Sequence, residues 1–91
     1  MAKPKQKVVT RGVQGLGLDP MLLQLMFRKA ESFYPKHDFL VFDPSGGRVT
    51  VGDGDGKKLD EIQTRLPEKV WLKTDDYGHQ LVITALLPSE Y

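Results

Sequence analysis

The sequence predicts an α+β domain: an antiparallel sheet of about five strands with one main α-helix packed on one face. Three observations predict it. One long segment, residues 21–34, has helical periodicity, while two β-rich segments, 38–51 and 68–87, each fold about a cluster of turn residues. With 91 residues and 10.3 kDa there is material for one hydrophobic core only. The expected order is β-α-β-β-(short α)-β-β, with residues 1–7 a flexible basic tail and 8–91 a single domain.

The tail, Met1-Ala-Lys-Pro-Lys-Gln-Lys, offers nothing to bury. Val8-Val9-Thr10-Arg11-Gly12-Val13 is short and β-branched, which predicts a strand, and Gly15 and Gly17 break it. Asp19-Pro20 then marks a helix start. An Asp N-cap accepts a hydrogen bond from an orphan N–H, and Pro at the first helical position lacks the donor that would go unused. Leu18, Leu22, Leu25, Met26 and Phe33 share one face of that helix, Leu23, Phe27, Ala30 and Tyr34 an adjoining one, until Pro35 stops it.

Asp38-Phe39-Leu40-Val41-Phe42 and Arg48-Val49-Thr50-Val51 read as a hairpin about Asp43-Pro44-Ser45-Gly46-Gly47. Residues 52–56, Gly-Asp-Gly-Asp-Gly, form a loop. Leu59, Ile62 and Leu66 have helical spacing, whereas Ile62, Thr64 and Leu66 fit a strand; the reading favoured is a short helix over 58–63, ended by Pro67. Residues 68–74 and 79–87 make a second hairpin across Asp75-Asp76-Tyr77-Gly78, with Leu81, Ile83, Ala85 and Leu87 on the core side. Residues 39–42 and 81–87 are apolar on both faces, yet one helix shelters one face. Either the 57–66 segment or a second subunit is expected to cover the other, so a homodimer is one expectation.

Composition narrows the function classes. Thirteen Lys+Arg against twelve Asp+Glu leave a net charge of +1, and there is no cysteine, which removes disulfides, thiolate metal sites and Cys nucleophiles. No apolar run is long enough to cross a bilayer and the start has no signal-type stretch, so a cytoplasmic protein is expected. Charge is uneven nonetheless: residues 1–18 carry four cations and no acid, and residues 74–91 three acids and no Lys or Arg.

Each chemically suggestive cluster has a plainer reading. Asp53-Gly54-Asp55-Gly56 resembles the opening of a calcium loop, but counting from Asp53 places Lys57, Lys58 and Thr64 where an oxygen ligand, a glycine and an acid are required. A solvated turn is expected there. Asp75, Asp76, Tyr77 and His79 gather carboxylates, a phenol and an imidazole on a hairpin tip that faces water. Turn chemistry is their first reading and, with Trp71, an interaction surface the second. His37 and His79 are the only histidines, too few for a three-His site. Gly12, Gly15 and Gly17 are in the wrong order for a dinucleotide fingerprint, and Asp19 would oppose a phosphate. No catalytic, metal or cofactor site is therefore assigned. Lys3, Lys5, Lys7 and Arg11 could follow a nucleic-acid backbone, with Trp71 or Tyr77 stacking on a base, although Trp71 reads first as a half-buried sheet residue.

Several short stretches carry a likeness: Val9-Thr10-Arg11-Gly12-Val13, the Leu-rich 21–27, Asp38-Phe39-Leu40-Val41-Phe42, Gln63 with Leu66-Pro67-Glu68, Lys69-Val70-Trp71-Leu72 leading to Asp75-Asp76, and Leu86-Leu87-Pro88-Ser89-Glu90-Tyr91. Over most of residues 8–91 the chain resembles a small family from Gram-positive bacteria and their mobile elements, the staphylococcal domain of unknown function nine-sixty. The Gly-rich 45–56 stretch departs from that pattern. The resemblance implies a stand-alone cytoplasmic domain ending at Tyr91, of bacterial, phage or prophage source, and carries no activity or cofactor with it. Thr10, Arg11, Gly12, Glu90 and Tyr91 recur in the pattern; for Arg11 an ion pair with Asp75, Asp76 or Glu90 is expected. The function expected is a non-enzymatic protein-interaction module with an unidentified protein partner. The alternative is a nucleic-acid-binding accessory protein using the basic arm.

Overall fold

The computed structural model describes residues 3–91. Its elements are β1 (Lys5–Val9), α1 (Arg11–Gln14), α2 (Pro20–Phe33), β2 (Phe39–Ser45), β3 (Arg48–Gly52), β4 (Lys58–Ile62), β5 (Val70–Asp76) and β6 (Leu81–Leu86), closed by a 3-10 turn, Pro88–Glu90. The fold class is α+β with one main helix, as expected. The sheet has six strands in the order β1-β6-β5-β2-β3-β4 rather than five, and it is mixed, because β1 runs parallel to β6.

The two expected hairpins form, β2–β3 and β5–β6, and β2 pairs with β5 to join them. Strand alternation then sorts the side chains. Leu40, Phe42, Val49, Val51, Val70, Leu72, Ile83 and Ala85 are buried, together with Met26, Phe27 and Ala30 of α2 and Val13 of α1. The α2 start is the one predicted: the Asp19 carboxylate accepts the Met21 N–H at 2.8 Å with Pro20 at the first helical position.

Three expectations are corrected. The 1–7 segment is not a free tail where it is described. The Pro4 carbonyl accepts the Leu81 N–H at 2.9 Å, and Lys5 begins β1; Met1 and Ala2 lie outside the described residues. The strand expected over 8–13 ends at Val9, where Thr10 caps α1. Alternation explains the first shift, and the Thr10 side chain, which accepts the Val13 N–H, the second. Lys5 and Lys7 stand on the α2 side of the sheet, their stems covering apolar surface while the ammonium groups reach Glu31 at 2.8 Å and the Phe27 ring centroid at 5.9 Å.

The third correction concerns 58–63, which is strand β4 and not a helix. Val49 pairs with Ile62 and Val51 with Asp60, so the segment satisfies the open edge of β3, and a register shift at Val51/Gly52 accommodates Leu59. A segment of ambiguous period takes the structure that an unpaired neighbouring strand offers. It extends the sheet and does not cover its second face. That face is shielded in part by the glycine loop, where a Cβ on Gly54 would lie 2.9 Å from the Phe39 ring.

Candidate recognition surface

Register decides what stands on the face opposite α2. Trp71 of β5 lies between Val41 of β2 and Leu86 of β6, and the next row outward sets Lys73 between Phe39 and Thr84. Phe39 and Trp71 meet edge to face with centroids 5.2 Å apart. Tyr91 adds a second edge-to-face contact to Trp71 at 5.6 Å, and the Lys73 ammonium sits 5.8 Å from the Tyr91 ring centroid. Three aromatic rings from three separate parts of the chain thus form one cluster. Tyr91 is 78% exposed, and the Trp71 indole Nε1 is buried without a hydrogen-bond partner.

The carboxylate of Glu90 holds the Tyr91 segment in place. It accepts from the Thr10 hydroxyl at 2.6 Å, the Leu87 N–H at 2.8 Å and the Gly12 N–H at 3.0 Å. The Thr10 hydroxyl bond, with the Leu87 and Gly12 N–H groups, holds the Glu90 carboxyl below the usual range. Gly12 lies close against this contact: a Cβ there would come within 2.7 Å of both the Glu90 carboxyl carbon and a Leu87 methyl, so one or both side chains would have to shift. The chain end and the first turn after β1 are therefore one structural unit.

Two depressions flank Trp71. One, about 340 Å³, is lined by Phe39, Trp71, Lys73 and Tyr91. The other, about 370 Å³, has Val41, Thr50 and the glycine loop as walls and carries Lys57, Lys58 and Lys69 with Asp43 as its one carboxylate. Lys69 stands 3.8 Å from Asp43, Lys58 pairs with Glu61 at 2.9 Å, and Lys57 has no ion-pair partner among the described residues.

The sequence candidates fall in different places. Trp71 and Asp75 share the open face, where Asp75 lies 3.7 Å from Lys73. Asp76 has the opposite parity and is chelated by the Lys3 ammonium at 2.7 and 2.8 Å, with the Tyr34 hydroxyl donating at 3.3 Å. Lys3 and the Gly78 N–H hold the Asp76 carboxyl low. Tyr77 and His79 are exposed at the hairpin tip, where Tyr77 N–H donates to the Gln80 carbonyl. The five do not form one surface. The arm is engaged likewise: Lys3 with Asp76, Lys5 with Glu31 and Lys7 with Phe27. Arg11 is exposed and makes no ion pair among the described residues. The partner expected for it is corrected, since Glu90 is taken by Thr10, Gly12 and Leu87.

Asp53 folds into its own loop, its carboxylate accepting the Asp55 and Lys57 N–H groups, and the Asp55 bond above all lowers its pKa. No group of three or more His, Asp or Glu side chains with metal-binding geometry occurs among the described residues. Sequence reasoning missed Phe39, Lys73 and Tyr91 as companions of Trp71. The β2–β5 register and the turn at Pro88 bring them together, and neither has a local signature.

No family model matches the chain, and no curated protein matches it. Among solved structures, the crystal structure of a protein of unknown function from Enterococcus faecalis is similar, with a TM-score of 0.61 and 21% identity over 94% of this chain and 90% of that one. The likeness shows a shared fold. No helix among the described residues is long and apolar enough to cross a membrane.

Proposed function

We propose that this chain is a non-enzymatic protein-interaction module of the bacterial cytoplasm, of bacterial or phage origin and related to the family it resembles, and that its contact surface is the sheet face opposite α2. One observation carries the reading: the cluster of Phe39, Trp71 and Tyr91 stands on a face that no helix among the described residues covers, with Tyr91 78% exposed. A few residues, with Trp, Tyr and Arg enriched among them, carry most of the binding energy of protein interfaces. The carboxylates with displaced pKa values, Asp53, Asp60, Glu61, Asp76 and Glu90, are all displaced downward by hydrogen bonds and cations. A general acid needs the opposite shift. The nucleic-acid reading loses its main support because the arm lysines already have partners within the fold.

The test is photo-crosslinking in extract of the native host. A benzoylphenylalanine at position 91 keeps an aromatic ring on the cluster; the same residue at position 28 reports on the helix side. The expected result is a discrete protein adduct from position 91 and none from position 28. Adducts from both positions alike, or adducts to nucleic acid, contradict the proposal.

A further inference from the structure

We infer that the glycine loop holds a self-modification site: Asp55-Gly56 passes through a cyclic succinimide and becomes isoaspartate in the folded protein, while the neighbouring Asp53-Gly54 is protected. The inference stands apart from the proposed interaction role. These are the two Asp-Gly steps of the chain. In such a step the glycine nitrogen, uncrowded by any Cβ of its own, can reach the carboxyl of the preceding side chain. The reaction balances without a co-reactant. The Gly56 nitrogen bonds to the Asp55 Cγ, and its proton leaves with the carboxyl hydroxyl as water. Water then opens the five-membered imide at either carbonyl. Breaking the bond to Cγ restores aspartate; breaking the bond to the Asp55 main-chain carbonyl carbon leaves the chain running through the side chain.

The structure separates the two steps. At Asp53 one carboxylate oxygen accepts the Asp55 N–H at 2.8 Å and the Lys57 N–H at 3.1 Å. Those bonds, the Asp55 one first, hold the carboxyl low. Cyclisation needs the neutral acid, whose hydroxyl can leave, so a bound and ionised carboxylate is the wrong form. The nitrogen that would attack it is held as well: Gly54 packs so closely that a Cβ would lie 2.9 Å from the Phe39 ring. Asp55 has none of these restraints. It is exposed, and its carboxylate has neither a hydrogen bond nor an ion pair among the described residues. Gly56 has open space around it, with nothing within 4 Å of where a Cβ would stand. Isomerisation adds one main-chain atom between the two N–H groups that the same Asp53 oxygen accepts. Gly54, Gly56 and Lys57 also wall the depression beside Trp71, so the change alters the border of the open face.

The experiment incubates the full chain in oxygen-18 water at weakly acidic pH, either folded or unfolded in guanidinium, followed by trypsin digestion in ordinary water. Each opening of the imide leaves one heavy oxygen on the residue that cyclised. The peptide Val49–Lys57 carries both steps, and its fragment ions place the label and the displaced backbone. In the folded chain the label at Asp55 should exceed that at Asp53 at least tenfold, with isoaspartate accumulating at 55. In guanidinium the two should label within about threefold of each other. Asp55→Glu, whose larger ring closes slowly, should lose the label at position 55 at an unchanged melting temperature. Equal labelling of Asp53 and Asp55 in the folded chain, no label at Asp55 when only the unfolded chain reacts, the same bias in guanidinium, or a persisting label in the Glu variant each overturn the inference.

Discussion

At Glu90 one carboxylate joins the two ends of the chain, and its environment makes two predictions. Replacing Gly12 with Ala forces a methyl into the space of the Glu90 carboxyl and Leu87. Overpacking of this kind costs roughly 1–3 kcal/mol, and a domain of this size loses about 4–8 °C of Tm per kcal/mol. Thermal melts of Gly12→Ala against the parent check it. The second prediction is a pH dependence. Glu90, Asp76, Asp60, Glu61 and Asp53 all have carboxyls lowered in the folded state. Unfolded carboxyls titrate near pH 4, so below that range the unfolded chain binds more protons than the folded one and stability falls with falling pH. The stabilisation is fully present above about pH 5. Melts at pH 7, 5 and 3 should give similar Tm values at the first two and a clear drop at the third. Glu90→Gln, which cannot titrate, should show a smaller drop between pH 5 and 3 than the parent.

Among the elements, α2 depends on its first turn. Asp19→Ala removes the acceptor for the Met21 N–H and should cost about 0.5–2 kcal/mol, read from denaturant midpoints at an unchanged m-value. This helix was legible because its signals are local: cap, Pro at the first turn, apolar spacing and a closing Pro35. The two hairpins were legible for the same reason, since Gly46 and Gly47 both have positive φ at a two-residue turn. Strand β4 was not legible, because Leu59, Ile62 and Leu66 satisfy both periods and the decision belongs to β3. As the outer strand, β4 is guarded against further pairing: Asp60 accepts the N–H of Glu61 at 2.7 Å and pairs with Lys29 of α2. The parallel β1 was hidden by its lysines, which read as tail until α2 supplies Glu31 and Phe27 as partners. The Phe39–Trp71–Tyr91 cluster was equally out of reach, as two tertiary decisions, one register and one chain reversal, assemble it.

For the whole molecule, the expectation of a surplus apolar face is met in part. The glycine loop lies against Phe39, and the chain end brings Tyr91 to Trp71. What remains beside Trp71 is a pair of small depressions rather than a broad apolar sheet. Light scattering at tens of micromolar should therefore report a monomer of about 10.3 kDa. A dimer that Tyr91→Ala dissolves would assign this face to self-association instead. The basic arm, by contrast, is spent on holding β1 in the sheet and Asp76 in its turn. The decisive measurement is calorimetric titration of the protein captured at position 91 against two variants of the full chain. The account predicts that Tyr91→Ala weakens binding at least tenfold while Lys3→Ala with Arg11→Ala leaves the affinity unchanged; the reverse pattern would contradict it.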